Sequence, residues 1–419
     1  MVRLLFIAIF SWLFLPVSAQ RITLSPEQIE TMFLRQNLEL IAGQMNVSIA
    51  DAAIAEAKVW DNPELSVGDI NFWKRRSTDE NGGAIGYPKQ FSVELSQIVS
   101  LSARRVKLAN VEKVGKEITV KQFEELLRSM KMELRSSIAE TAYLQNVLIV
   151  IENQKRVLEE VVAGYQTQYN TGNVTKNELL RLQTALFAIN GDINNIRAEL
   201  NTMQKTLKNL LALESSTMVI IAEEKDNFPS PLSLNSNTLI EIALTSRPDL
   251  EAIILQSEYH RKDIAYQKSL RIPDVSLGVK YDRYGGVWDN FFGIGVGVQI
   301  PIFNRNKGAI KTAQIKLRQN EILVSQGRNN VQNEIVECFE NYKATYFFLD
   351  KEIADSTQNE LDNMLDVYAK NLLLKNISIV EYMDFMDSYR SVKEMLLQSH
   401  KALKLQFEQL QFSIGQDIK

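Results

Sequence analysis

The chain has 419 residues and a near-even charge balance, 47 Lys and Arg against 51 Asp and Glu, for a formal net charge of −4. The absence of a basic excess to neutralise phosphates argues against a nucleic-acid partner. One Cys excludes an internal disulfide, and two widely separated His, His260 and His400, exclude a metal cluster of Cys and His spacing.

Residues 1–19 read as a secretory signal: Arg3, an apolar run over 4–15, and the small-residue site Val17-Ser18-Ala19. That run is too short to span a bilayer, and nothing later approaches the roughly 18 uninterrupted apolar residues of a membrane helix. Any membrane crossing therefore falls to strands. Gln20 rather than Cys follows the expected cut, so no lipid anchor is expected there.

The first structural repeat is placed at 20–213. Ser25-Pro26-Glu27-Gln28 opens its first helix with a capping box and a proline at the first helical position; the helix is expected to reach about Val59 and to stop at Asn62-Pro63. Strands are predicted at 64–73 and 90–99, joined by a polar loop over 76–89. A helical hairpin over 102–213 follows, its arms meeting at the turn Tyr169-Asn170-Thr171-Gly172-Asn173. In the second arm Leu182, Leu186, Ile189, Ile193, Ile196, Leu200, Met203, Leu207 and Leu210 recur at alternating spacings of four and three. A 3.5-residue apolar repeat stays in register only when the helix winds on a partner. The first arm offers one, with Phe123, Leu127, Met130, Leu134, Thr141, Leu144, Leu148 and Ile151 on nearly the same beat.

Residues 214–237, with Pro229 and Pro231, interrupt the helical pattern and carry a predicted short strand at 218–221. A second repeat over 238–419 then restarts the plan: a helix to about Leu270, a stop at Pro273, strands at 274–284 and 291–300, and a hairpin over 306–414. No proline falls between Lys89 and Phe228 or after Pro301. Since an interior proline breaks a helix, arms of about 60 residues, each roughly 90 Å long, are allowed. Cys338 shares a heptad beat with Val331, Ile335 and Tyr342 and reads as a core residue.

The residues repeat as well as the elements. Gly172-Asn173-Val174-Thr175-Lys176-Asn177-Glu178 matches Lys375-Asn376-Ile377-Ser378-Ile379-Val380-Glu381 at an offset of 203, and the segment ending at Pro63 matches the one ending at Pro273 at 210. Duplication accounts for both. The strands alternate strictly: Val275, Leu277, Val279 and Tyr281 against Ser276, Gly278, Lys280 and Asp282, and Phe292, Ile294, Val296 and Val298 against Gly293, Gly295, Gly297 and Gln299. With aromatic residues at the loop ends (Phe72, Trp73, Tyr281, Tyr284, Trp288, Phe291), this is the pattern of outer-membrane barrel strands. Four strands cannot close a barrel in lipid, so copies must be pooled, and three chains give twelve strands. The remaining alternative is a soluble four-stranded sheet with one exposed face. The alternating glycines Gly293, Gly295 and Gly297 lie inside a strand, which argues against a phosphate loop. No nucleophile elbow or acid/base pair appears, so no enzyme and no cofactor are expected.

Several segments together resemble the TolC family of outer-membrane efflux proteins over essentially the whole mature sequence. They are the duplicated helix-strand-strand-helix-helix plan, Ala243-Leu244-Thr245-Ser246-Arg247-Pro248-Asp249-Leu250, Gln299-Ile300-Pro301-Ile302-Phe303-Asn304-Arg305, and the two turns. The short chain and Arg104-Arg105 are similar to the cobalt-zinc-cadmium and copper branch. The resemblance implies a mainly helical chain with a small β part, forming a homotrimer. Its twelve-stranded barrel would sit in the outer-membrane lipid, continued by a helical coiled-coil tunnel across the periplasm. It implies a passive exit duct for metal cations or small toxic molecules, with a periplasmic adaptor and an inner-membrane pump of the proton-driven RND type as partners. A duct for type I protein secretion, and an exported coiled-coil scaffold or adhesin that never inserts, are the competing readings.

Two groups of residues are candidate sites. Glu381, Asp384 and Asp387 recur every three residues past the second turn, on one slowly drifting helix face. In a trimer such carboxylates would crowd a common axis, attract cations and raise one another's pKa. The resemblance places Glu381 and Asp384 at the periplasmic entrance, and Arg181, equivalent to Asp384 in the first half, would latch it by pairing with an acid. Gly172, Asn173 and Val174, with Lys375, Asn376 and Ile377, are the expected adaptor contacts. The family has Gly in both turns, and Lys375 replaces it in the second.

Overall fold

The computed structural model describes residues 21–71, 76–78, 84–86, 90–222, 228–285, 288–352 and 355–418. The expected signal segment 1–19, the girdle residues Phe72 and Trp73, and part of the polar loop over 76–89 lie outside them. In chain order the elements are β1 (Arg21–Leu24), α1 (Pro26–Gln36), α2 (Leu38–Lys58), β2 (Glu64–Asn71), β3 (Arg76–Thr78), β4 (Ala84–Gly86), β5 (Gln90–Ser100), α3 (Arg104–Asn170), α4 (Lys176–Leu210), β6 (Met218–Ile221), α5 (Ser236–Ser246), α6 (Pro248–Ser269), β7 (Asp274–Arg283), β8 (Asn290–Val298), α7 (Lys307–Glu352), α8 (Asp355–Leu373) and α9 (Ile379–Ile414). The chain is mainly helical with a small β part. Among the described residues no helix is long and apolar enough to cross a membrane.

Two helices expected to run on are each broken in two. The helix from Ser25 stops at Asn37, whose backbone is extended and whose side chain is buried. Asn37 Nδ2 donates to the carbonyl of Leu210 (2.8 Å), while Oδ1 accepts the Leu40 N–H (2.9 Å) and so caps the following helix. A side chain that bonds the backbone in this way competes with helix continuation. The helix expected over 238–270 breaks at Arg247, extended ahead of Pro248, as the residue before a proline tends to be. The loop expected over 76–89 pairs on itself through β3 and β4, Arg76 opposite Gly86.

The described residues fall into two compact units, one within 21–43, 124–247 and 329–418, the other within 44–123 and 248–328. Each draws on both halves of the sequence. In the first unit α3, α4, α8 and α9 share one core, with Ile151, Val161, Leu182, Leu365, Leu372 and Tyr382 almost wholly removed from water. Burying each such aliphatic side chain contributes about 1.5–3 kcal/mol. Cys338, on α7, is buried beside Ile335 and Tyr342, and that burial pushes its thiol pKa up. A small parallel pair, β1 on β6, runs from Arg21 opposite Met218 to Leu24 opposite Ile221. Two glutamines act on β6 as a further strand would: Gln204 exchanges both bonds with Val219 (2.6 and 2.8 Å), and Gln145 accepts from the Ile221 N–H (3.1 Å).

In the second unit β2, β5, β7 and β8 form one antiparallel sheet in that order. Register carries the alternation across it. Leu65, Leu95, Val279 and Ile294 lie side by side on one face, while Ser66, Glu94, Lys280 and Gly293 do so on the other. The apolar face is open, Ile294 at 81% and Phe292 at 71% exposure. Phe291, expected in the aromatic girdle, pairs with Asp282 and so falls on the polar face. Among the described residues, the outer edges of β2 and β8 have no strand partner. Arg104 at the start of α3 pairs with Asp61 (3.0 Å) before β2 and with Asp274 at the start of β7, so one guanidinium joins one strand-to-helix and two helix-to-strand junctions. Arg105 lies 3.4 Å over the Trp60 ring.

Candidate functional site

Both hairpins of the first unit end in turns built by the same bonds. In the first, the N–H groups of Thr171, Gly172 and Asn173 donate to the carbonyls of Thr167, Tyr169 and Gln168. In the second, Leu374, Lys375 and Asn376 donate to Lys370, Leu372 and Asn371, each donor and acceptor 203 positions on. The middle residue is left-handed in both, Gly172 at φ 74° and Lys375 at φ 60°. Glycine takes that conformation freely, whereas a side chain there costs on the order of 1–2 kcal/mol. Both turns then open the next helix with a capping box, Thr175 with Glu178 and Ser378 with Glu381.

These boxes set the carboxylates' protonation. The Thr175 N–H donates to Glu178 (2.6 Å) and the Ser378 N–H to Glu381 (2.7 Å), and each bond holds its carboxyl below the usual range. For Glu381 this is the reverse, within one chain, of the raise expected from neighbouring like charges. Asp384 and Asp387 follow on the exposed side of α9. Arg181 is exposed on α4 and lines an open groove of about 760 Å³ with Leu180, Thr184, Ile379 and Met383. None of Arg181, Asp384 and Asp387 makes an ion pair among the described residues, so the chain does not itself join the expected latch.

The structure does bring the two turns together. Lys375 Nζ donates to the Asn173 carbonyl (2.7 Å), and Gln168 Nε2 donates to the Leu373 carbonyl (3.0 Å). Gly164 makes room beneath them, for a Cβ there would collide with the Leu373 side chain. Val174 and Ile377 pack half-buried on the shared core, where Tyr368 and Phe385 stack at 3.9 Å. Asn173 and Asn376 bond within their own turns, to Thr171 and Asn371. The sequence alone assigns no role to Gly164, Gln168 or Leu373. An isolated glycine in an otherwise unbroken helix was the available signal for a close approach.

Deeper along the same helices lies a charged belt. Arg390 bonds Asp192 across to α4 (2.5 Å) and Glu394 on its own helix (2.8 Å). Asp362 on α8 accepts from the Tyr389 hydroxyl and from the buried ammonium of Lys393, both at 2.8 Å. Among the described residues no group of His, Cys, Asp and Glu is arranged to hold a metal ion.

No family model matches the chain. It is similar in structure to the channel CusC, with a TM-score of 0.71 at 17% identity over 94% of this chain and 92% of that one. The fold is that of the TolC-like outer-membrane channels. The same fold recurs in the Campylobacter jejuni CmeC outer membrane channel, TM-score 0.75 at 12% identity, over 93% of this chain and 85% of CmeC. In sequence the chain is similar to the cobalt-zinc-cadmium resistance protein CzcC of Cupriavidus metallidurans, 23% identical over 303 residues and 69% of this chain. That match spans 66% of the relative's length.

Proposed function

We propose that this protein is the outer-membrane exit duct of a tripartite efflux system, a passive conduit and not an enzyme, reaching from the outer membrane of a Gram-negative bacterium into the periplasm. The observation that carries the reading is the four-stranded sheet, apolar and exposed on one face and unpaired at both edges among the described residues. Lipid cannot hydrogen-bond open strand edges, so the sheet fits a membrane only as part of a closed barrel. Three copies supply twelve strands, within the range of known barrels. Each copy also brings Glu381, Asp384 and Asp387 toward a shared entrance and an Arg181 to pair with an acid of its neighbour. The turns Gly172 to Val174 and Lys375 to Ile377 meet a periplasmic adaptor joined to a proton-driven RND-type pump, which supplies the energy.

The cargo is divalent transition-metal cations, a reading supported by the likeness to a cobalt-zinc-cadmium resistance protein. Planar-bilayer recording of the purified chain tests the duct: discrete channels selective for cations are expected, and an electrically silent bilayer contradicts it. A deletion strain more sensitive to cobalt, zinc or cadmium supports the cargo. Unchanged metal tolerance with loss of a large secreted polypeptide would instead favour protein secretion.

A further inference from the structure

The left-handed residue of the second turn is a lysine where its counterpart 203 positions earlier is Gly172, and backbone geometry gives no reason for the exchange. What the lysine adds is reach. Its ammonium lies 2.7 Å from the Asn173 carbonyl, 202 positions away, and Glu178 of the first turn's capping box adds a favourable charge nearby. Beneath it the same two helix ends are joined by the Gln168 to Leu373 bond, and the Leu373 side chain lies close against Gly164. A non-glycine residue is kept in this backbone region only where its surroundings over-determine it.

We propose that Lys375 is a staple between the two hairpin turns, fixing them as one two-turn docking surface per chain in place of two independent tips. This rests on the reading of the turns as the adaptor-docking end. A partner approaching the turns meets both at a fixed spacing, with the Asn173 carbonyl already occupied. The ordering of the two tips is complete before docking, so it does not subtract from affinity.

Hydrogen exchange on the full chain in detergent tests the staple with Lys375→Met, Lys375→Arg and Lys375→Gly. Lys375→Met should speed exchange in the first turn by about tenfold, because an unfastened turn opens more often. Lys375→Arg should restore most of the protection. Lys375→Gly should loosen the first turn while leaving the second ordered, since glycine suits its backbone. First-turn exchange unchanged in Lys375→Met would overturn the staple. Metal tolerance conferred on the deletion strain separates the two readings. If Lys375→Met exchanges faster yet exports as well as the wild type, the staple stands and its docking role falls.

Discussion

The sheet and the hairpin ends were both read from apolar periodicity, and they settle it in opposite ways. Around the turns the heptad residues of α3 and α4 bury themselves against α8 and α9, leaving Leu182 and Leu372 at 0% exposure. In the sheet the alternating residues reach the surface, with Ile294 on the edge strand β8 facing open space. A periodic apolar stripe states which face leaves water, and the structure states whether the partner is in the same chain. For the helices it is; for the sheet no described residue covers the apolar face, and on the proposed reading its partners are lipid and further copies.

Substitutions on each side sharpen that contrast. The largest expected effect is in the core: Leu182→Ala should cost about 2–5 kcal/mol, seen as a lower melting temperature of the helical signal in detergent. Next is Ile294→Lys, which should cost about 2–4 kcal/mol near the bilayer midplane and empty the outer-membrane fraction. On a water-facing sheet the same change would be harmless, and full recovery of the variant in membranes would break the comparison. Thr175→Ala and Ser378→Ala should each cost about 1 kcal/mol by removing a cap, read in the same melting experiment. The smallest effect is in the pH dependence of the caps. The pKa values of Glu178 and Glu381 are depressed in the folded chain, so the stability they contribute is present above the usual carboxylate range and is lost as pH falls through the depressed values. Glu178→Gln with Glu381→Gln should therefore lower the melting temperature at pH 7 and leave it unchanged at the acid end of the titration.

What was legible in the sequence was what repeats locally. The heptads of α4, the four strands and the strand at Met218–Ile221 follow from spacing within a few turns of chain. The capping boxes at Ser25, Thr175 and Ser378 are three-residue patterns and could be read in the same way. What escaped depends on distant partners. Asn37 looks like any helical asparagine until Leu210 is beside it, and β1 has no signature apart from β6 and the two glutamines behind it. Pro248 did announce the break at Arg247, yet the apolar pattern ran across it. Lys375 read as an adaptor contact that departs from glycine and not as a bridge between the turns, because its contact is made to the other hairpin. The clustering of Glu381, Asp384 and Asp387 was visible, but Glu381's engagement with Ser378 changes what it contributes to an entrance.

Mass determination of the detergent-solubilised, membrane-extracted protein addresses the sheet's missing partners most directly. The account predicts a particle of three chains, each 47.8 kDa before any processing, that dissociates only as the sheet unfolds. A population of single folded chains, stable without detergent, would contradict it.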